Sequence, residues 1–290
     1  MTIAGKWLDW TAERARDWVA VPRASDDKYS RGVLGMLTGS TEYPGAAVLG
    51  VEAAVRTGVG MVRYRGPERA ANLVLARRPE VVTAAGRVQA WLLGSGMDAG
   101  ARSESTTAAV VAALAEGLPS VVDAGCLDLV AGDVGTGDVG MGGGPIVITP
   151  HSRELSALLR RRGITVSVEQ LQQAPGEWAI RAAASLQVTV LLKGNVTHIA
   201  SPAGLNLRVA GSTPWLATAG TGDVLGGILG ALLATHSEQA RDDPNALASL
   251  AATASLLHAR AALRASAGGP IAALDVAEAL PATIAALLGG

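Results

Sequence analysis

The chain contains no phenylalanine, and aromatic residues together make up 3% of its 290 positions. A floor of base-stacking rings, as in a site for single-stranded nucleic acid, is therefore not expected. Cysteine is almost absent as well. Cys126 stands alone, which excludes an internal disulfide and a cysteine-based zinc site; this fits a reducing compartment and points to the cytoplasm. Charge of one sign is lacking too, the formal net charge being -1, so no general attraction to nucleic acid or to an acidic membrane is expected. No stretch approaches the ~20 uninterrupted apolar residues of a membrane helix. The N-terminus carries acids and tryptophans in place of a basic and then apolar run, and does not read as a secretory leader. There is no G-x-x-x-x-G-K-[ST] phosphate loop, no kinase-type H-R-D and no G-x-S-x-G elbow.

What remains is apolar side chain, at 49% of the sequence, spread along the chain in short blocks. Residues 1–27 read as an amphipathic helix and a loop, with Trp7, Trp10, Trp18 and Val19 as its apolar members. Short, wholly apolar strands are expected at 33–37, 61–64, 90–93, 120–122, 146–148 and 188–192. Helices are expected at 44–55, 106–115, 154–161 and 177–186, with two more at 245–266 and 275–287. Strands that are apolar on both faces belong to a parallel sheet covered on both sides. Their alternation with helices reads as a doubly wound α/β domain spanning 1–290. Residues 196–209 read as two short added strands. A glycine-rich insertion, 131–144, interrupts the alternation and is expected to be a surface loop, although it contains a G-T-G-D of its own.

The richest stretch is Ala217 to Leu233, A-T-A-G-T-G-D-V-L-G-G-I-L-G-A-L-L. Val224, Leu225, Ile228, Leu229, Leu232 and Leu233 recur at helical period. Gly220, Thr221 and Gly222 stand just before them, so backbone amides and the positive helix start can together cradle an anion. Asp223 lies inside that cradle. It is either a base acting on a hydroxyl that attacks a phosphate or an acid that merely favours the helix start, and the pattern leaves both open. In doubly wound sheets ligands sit beyond the carboxyl ends of the strands. Ser40, Gly96, Asp123, Thr149, His151, Glu154, Lys193 and Asp223 are therefore expected on one rim. Lys193 could meet a phosphate as a point charge or be a solvated lysine. His151 could donate to a substrate or cap a helix. Glu154 could hold Mg2+ through water or be a first-turn acid.

Several segments in order resemble the ADP/ATP-dependent NAD(P)H-hydrate dehydratases of the ribokinase-like superfamily. They are Thr38 to Ala47 (T-G-S-T-E-Y-P-G-A-A) with Arg56-Thr57-Gly58-Val59-Gly60, Arg78-Pro79-Glu80, Gly94-Ser95-Gly96-Met97, Val122-Asp123-Ala124, Thr149-Pro150-His151-Ser152-Arg153-Glu154, Leu192-Lys193-Gly194 with Thr197, and Ala217 to Leu225. The resemblance implies a ribokinase-like fold and a lyase that repairs hydrated NADH or NADPH. ADP or ATP would turn the substrate hydroxyl into a phosphate leaving group, with Mg2+ present. Asp223 would take the hydroxyl proton, and the amides of Gly220 to Gly222 would stabilise the phosphoryl charge. Ala46, Gly96 and His151 would contact the substrate, and Lys193, Gly194, Asn195, Val196, Thr197 and Gly222 the nucleotide. It also implies a homo-oligomer. A small-molecule kinase of the same fold and a catalytically inactive nucleotide-binding relative are the alternatives.

Overall fold

The computed structural model describes residues 6–131 and 143–289, and the expectation for the glycine-rich insertion falls largely outside them. Nine strands form one sheet: β1 (Leu8–Asp9), β2 (Val33–Leu37), β3 (Met61–Tyr64), β4 (Ala90–Leu93), β5 (Ser120–Val122), β6 (Ile146–Ile148), β7 (Thr189–Leu192), β8 (Thr197–Ala200) and β9 (Asn206–Val209). Their order across the sheet is β1-β9-β8-β7-β6-β5-β4-β2-β3. Only β8 runs against the others, pairing antiparallel with β7 and β9.

Side chains alternate across the sheet as the pleat requires. Leu34, Met36, Leu92, Val121, Val147 and Leu191 join one core layer, beneath the Gly45–Thr57, Thr221–Thr235 and Pro244–Ser266 helices. Val33, Leu37, Leu93, Val122, Ile148 and Leu192 join the other, with the Glu104–Ala115, Ser152–Arg161 and Pro175–Leu186 helices. The sheet is covered on both faces, as the uninterrupted apolar strands require. The 23-residue Pro244–Ser266 helix is long and apolar enough to cross a bilayer, yet 89% of its most apolar window is buried against protein. Its apolarity is that of a core helix.

The N-terminus departs from expectation. A helix covers only Ala12–Arg16, preceded by β1, which pairs in parallel with β9. The tryptophans do not share a helix face: Trp7 packs with one core layer, Trp10 and Trp18 with the other. Trp10 continues the β9 pairing through a 2.9 Å bond from its amide to the Arg208 carbonyl, and its indole N–H donates to Thr253 Oγ1 at 3.1 Å. An open sheet edge left backbone groups unpaired, and this segment satisfies them. The expected C-terminal helix is two helices, Ala273–Glu278 and Leu280–Leu288. Pro281 lies in the first turn of the second, where its missing N–H is tolerated, whereas one continuous helix would have needed that donor.

Candidate active site

The site begins at the carboxyl ends of β5, β6 and β7. Just past β6 and β7, His151 and Lys193 form an isolated parallel bridge, and the Lys193 amide donates to the Pro150 carbonyl at 2.9 Å. This sends the Lys193 ammonium to Asp123 Oδ1, 3.1 Å away. Asp123 follows β5 and is 3% exposed. Its carboxylate also accepts the Ser95 hydroxyl at 3.0 Å and the Thr149 hydroxyl at 2.7 Å. A buried carboxylate survives only with such partners. Asp123 is thus the hub that ties the exits of β4, β5, β6 and β7 together.

The Thr221–Thr235 helix points its first turn at this hub. Gly220, its N-cap, has φ 89°, a left-handed conformation that glycine adopts without strain. No side chain caps this helix, so part of its first-turn N–H potential is left for a ligand. A side chain at Gly220 would lie 2.5 Å from Leu49 Cδ1, whereas a Cβ at Gly222 would meet nothing nearer than Lys193 Nζ at 3.8 Å. The glycines keep the cradle open on the lysine side. Asp223 is half-buried in this first turn. Burial pushes its carboxyl up to about 7, the nearby Asp123 charge pushes the same way, and Lys193 opposes them. Lys193 shows the complement: burial pulls its ammonium down, but Asp123, Glu154 and Asp223 outweigh this and leave it above the ordinary lysine range. A carboxyl poised near neutrality beside a fixed cation is suited to taking a proton.

Two recesses on this rim bear on the site. One, about 410 Å³, lies between the β7–β8 turn, residues 209–217, the start of the Thr221–Thr235 helix and the middle of the Pro244–Ser266 helix. Lys193, Gly194, Asn195, Thr197 and Gly222 line it. Val196 does not; it lines a more open depression of about 900 Å³ with His151 and Arg153, which Lys193, Gly194 and Asn195 also border. Ser212, Ser255 and His258 also line the recess and were not anticipated. Ser255 and His258 sit in the Pro244–Ser266 helix among core residues, where the sequence reads as apolar packing. The other recess, about 200 Å³, lies where β4 and β2 adjoin and holds Ser40, Tyr43, Met97 and Asp98. Here the strand order reverses direction, the usual place for a ligand in such sheets. Ala46 and Gly96 touch at its side: a Cβ on Gly96 would come within 2.3 Å of the Ala46 Cβ. Ser40 accepts the Tyr43 amide at 3.0 Å and shapes this turn.

His151 and Glu154 form a capping box on the Ser152–Arg161 helix, with Nδ1 accepting the Glu154 amide at 3.2 Å and Glu154 Oε2 accepting the His151 amide at 2.8 Å. Glu154 Oε2 is also 3.8 Å from Lys193 Nζ. Among the described residues no three His, Cys, Asp or Glu side chains gather as a metal cage. The donor set fits a hydrated Mg2+ carried on phosphate oxygens, with a carboxylate behind a water, and does not fit an all-protein site.

A sheet of this order, with an uncapped glycine-led helix aimed at a Lys–Asp hub, narrows the family, and residues 34–282 match the one described as NAD(P)H-hydrate dehydratase. The chain belongs to that family. It is 45% identical over 233 residues to the bifunctional NAD(P)H-hydrate repair enzyme of Mycobacterium leprae, a match covering 77% of this chain and 45% of that protein. The chain thus spans about half the length of the mycobacterial and corynebacterial relatives it matches, 43% to 49%. The crystal structure of ADP/ATP-dependent NAD(P)H-hydrate dehydratase from Bacillus subtilis, co-crystallised with ATP and Mg2+, is similar at TM-score 0.79 and 27% identity, covering 98% of this chain and 99% of that one. A ribokinase-like superfamily protein from Enterococcus faecalis shares the fold at TM-score 0.80 and 21% identity, over 97% and 96% of the two chains. The doubly wound, mainly parallel architecture expected from the sequence is therefore the ribokinase-like one.

Proposed function

We propose that this chain dehydrates hydrated NADH or NADPH, using an adenine nucleotide as phosphoryl donor and restoring the reduced cofactor. The observation that carries the reading is Asp223, a carboxyl held near pKa 7 at the mouth of an uncapped helix and within electrostatic reach of Lys193. Hydroxide is a poor leaving group, so the substrate hydroxyl has to be converted first. Asp223 takes its proton as the oxygen attacks the terminal phosphorus, and the bond to the departing nucleotide breaks. Amides at Gly220 to Gly222 stabilise charge on the transferred group. Loss of phosphate and of the neighbouring ring proton then regenerates the dihydropyridine.

In this reading Lys193, Gly194, Asn195 and Thr197 hold the nucleotide in the larger recess, with Val196 supplying only the turn between them. His151, Ala46 and Gly96 face the nicotinamide. Mg2+ would neutralise phosphate charge, and Glu154 would hold it through water. The chain acts as one unit over 1–290, as a homo-oligomer in the cytoplasm. The test mixes hydrated NADH or NADPH with the protein, Mg2+ and either ADP or ATP. Near-ultraviolet absorbance of the dihydronicotinamide should return, with stoichiometric phosphate. No return with either nucleotide would sink the proposal, and a stable phosphorylated alcohol in its place would indicate a kinase. Elution of the protein at monomer mass would count against the oligomer.

A further inference from the structure

The larger recess holds an unfinished hydrogen-bond account. His258 lines it and is 7% exposed, yet its Nε2 is buried with no partner among the described residues. Ser212 Oγ lines the same recess and is orphaned in the same way. Buried polar atoms left unpaired are costly, and each such atom calls for an explanation. Here both face a cavity whose other walls include Val209, Pro214, Leu216 and Leu225.

The protonation of the ring narrows what it can meet. Burial lowers the imidazole to about 4, against the opposing pull of the Thr221 backbone, so it is neutral at physiological pH. The Lys193 charge adds to the fall and the Thr221 backbone opposes it, and the partnerless nitrogen is Nε2. With the single proton of the neutral ring on the nitrogen turned to the Thr221 backbone, Nε2 carries a bare lone pair, an acceptor only. Ionised phosphate oxygens are acceptors too and are repelled by it. A nucleoside offers two kinds of donor, an exocyclic base amino group and the ribose hydroxyls.

We propose that His258 Nε2 accepts a hydrogen bond from the nucleoside half of the bound nucleotide, so that this residue determines which nucleotide the recess selects. Ser212, able to donate or accept, completes the polar reading of the same half. The inference rests on the larger recess being the nucleotide site. Sites built to pair a polar substrate group reject analogues lacking it, because the protein's own group is then left unpaired.

The test is calorimetric binding to the full chain with Mg2+, comparing ADP with IDP, which replaces the base amino group by a carbonyl, and with 2′-deoxy-ADP and 3′-deoxy-ADP. At least one analogue is expected to bind about tenfold or more weakly than ADP, a factor equal to ~1.4 kcal/mol. IDP failing places the base against His258; a deoxynucleotide failing places the ribose there. In His258→Phe the ring remains without its nitrogen. ADP should weaken and the discrimination should vanish, while His258→Gln, which returns an acceptor, should recover part of it. Equal binding of all four nucleotides to the wild type overturns the inference, as does discrimination that persists in His258→Phe; Nε2 would then meet a buried water alone. Should neither ADP nor ATP bind, the dehydratase reading falls with it, whereas tight but indiscriminate ADP binding sinks only the role of His258.

Discussion

Asp223 carries the largest consequence of any single residue. Replacing it by Asn keeps shape and removes the base, so turnover should fall about 10²-fold or more while nucleotide binding, followed by calorimetry, stays near wild type. The rate profile should report its ionisation. The carboxyl must be deprotonated to act, and its pKa is about 7, so kcat/KM should fall on the acid side with a midpoint near there. Asp123 contributes to that elevation, and Asp123→Asn should move the limb to lower pH. A flat profile between pH 5 and 8, in rates corrected for unfolding, would dismiss Asp223 as the base. The same shift has a cost in stability. A carboxyl raised from 3.8 to about 7 on folding favours the folded state fully below the unfolded value, and that advantage is lost as pH rises through the folded one. Thermal melts of Asp223→Asn should therefore exceed wild type at pH 8 and converge with it near pH 4. Asp223 and Lys193 were legible in the sequence because a strand end or a helix start announces itself through glycine. The hub role of Asp123 was not, because its partners Ser95 and Thr149 are placed beside it only by the stacking of β4, β5 and β6. His258 was invisible for a simpler reason, being one polar residue in a helix that otherwise reads as core.

Between elements, one contact fixes the Thr221–Thr235 helix that carries Asp223, and a second fixes the Gly45–Thr57 helix it packs against. The Thr221–Thr235 and Gly45–Thr57 helices approach so closely that a Cβ on Gly227 would lie 2.2 Å from the Gly50 carbonyl oxygen. Backbone on both sides leaves nothing to yield. Gly227→Ala should lose about 1–3 kcal/mol in urea unfolding and also lower turnover, because Asp223 is one turn away. Gly226→Ala is the milder control, since its Cβ meets Leu92 Cδ1 and Ser95 Oγ at 3.3 Å. The second contact is Glu52, fully buried, with Arg56 Nε and Arg78 Nε each at 2.5 Å and Arg77 at 3.4 Å. Arg77 also reaches Glu278 at 2.6 Å, so one carboxylate joins three helices. Burial raises the Glu52 pKa, but the hydrogen bonds from Arg78, Arg56 and Arg77 win and hold it at about 2. Glu52→Ala removes a fully buried carboxylate and leaves the half-buried guanidinium groups of Arg56 and Arg78 without it, and should cost about 1–3 kcal/mol. In the wild type this contribution should be present above the unfolded value and be lost as pH falls towards 2. An acid melt unaltered by Glu52→Ala would overturn the assignment. Arg78-Pro79-Glu80 thus has a structural use that the sequence motif did not reveal. The central strands, by contrast, could be read from the sequence with little error, because buried, mostly apolar blocks of three to five residues have few other fates. Local pattern failed at the N-terminus, where a distant sheet edge recruited a segment whose spacing suggested a helix.

At the scale of the whole molecule, the 410 Å³ recess beside the charged centre is assembled from segments far apart in the chain. Lys193, Gly194, Asn195 and Thr197 come from the β7–β8 turn, Val209 to Ala217 from the exit of β9, Thr221 to Leu225 from the Thr221–Thr235 helix, and Ser255 to Ala259 from the Pro244–Ser266 helix. Such a cavity leaves apolar walls and the orphaned atoms of Ser212 and His258 to be satisfied by whatever binds. A ligand seated there touches all four segments at once, and none of those contacts survives unfolding. Binding to the folded state alone stabilises it by about 2.7 kcal/mol at a hundredfold excess over Kd. For a chain of this length that corresponds to a rise of roughly 5–10 °C in Tm, taking ~2–4 °C per kcal/mol. ADP with Mg2+ should produce a saturable rise of this order in a thermal melt. Lys193→Ala should abolish most of it, because the point charge for the phosphates is lost, whereas Asp223→Asn should keep it. A rise that is equal in wild type and Lys193→Ala would mean that the nucleotide sits elsewhere, and the site described above would have to be abandoned.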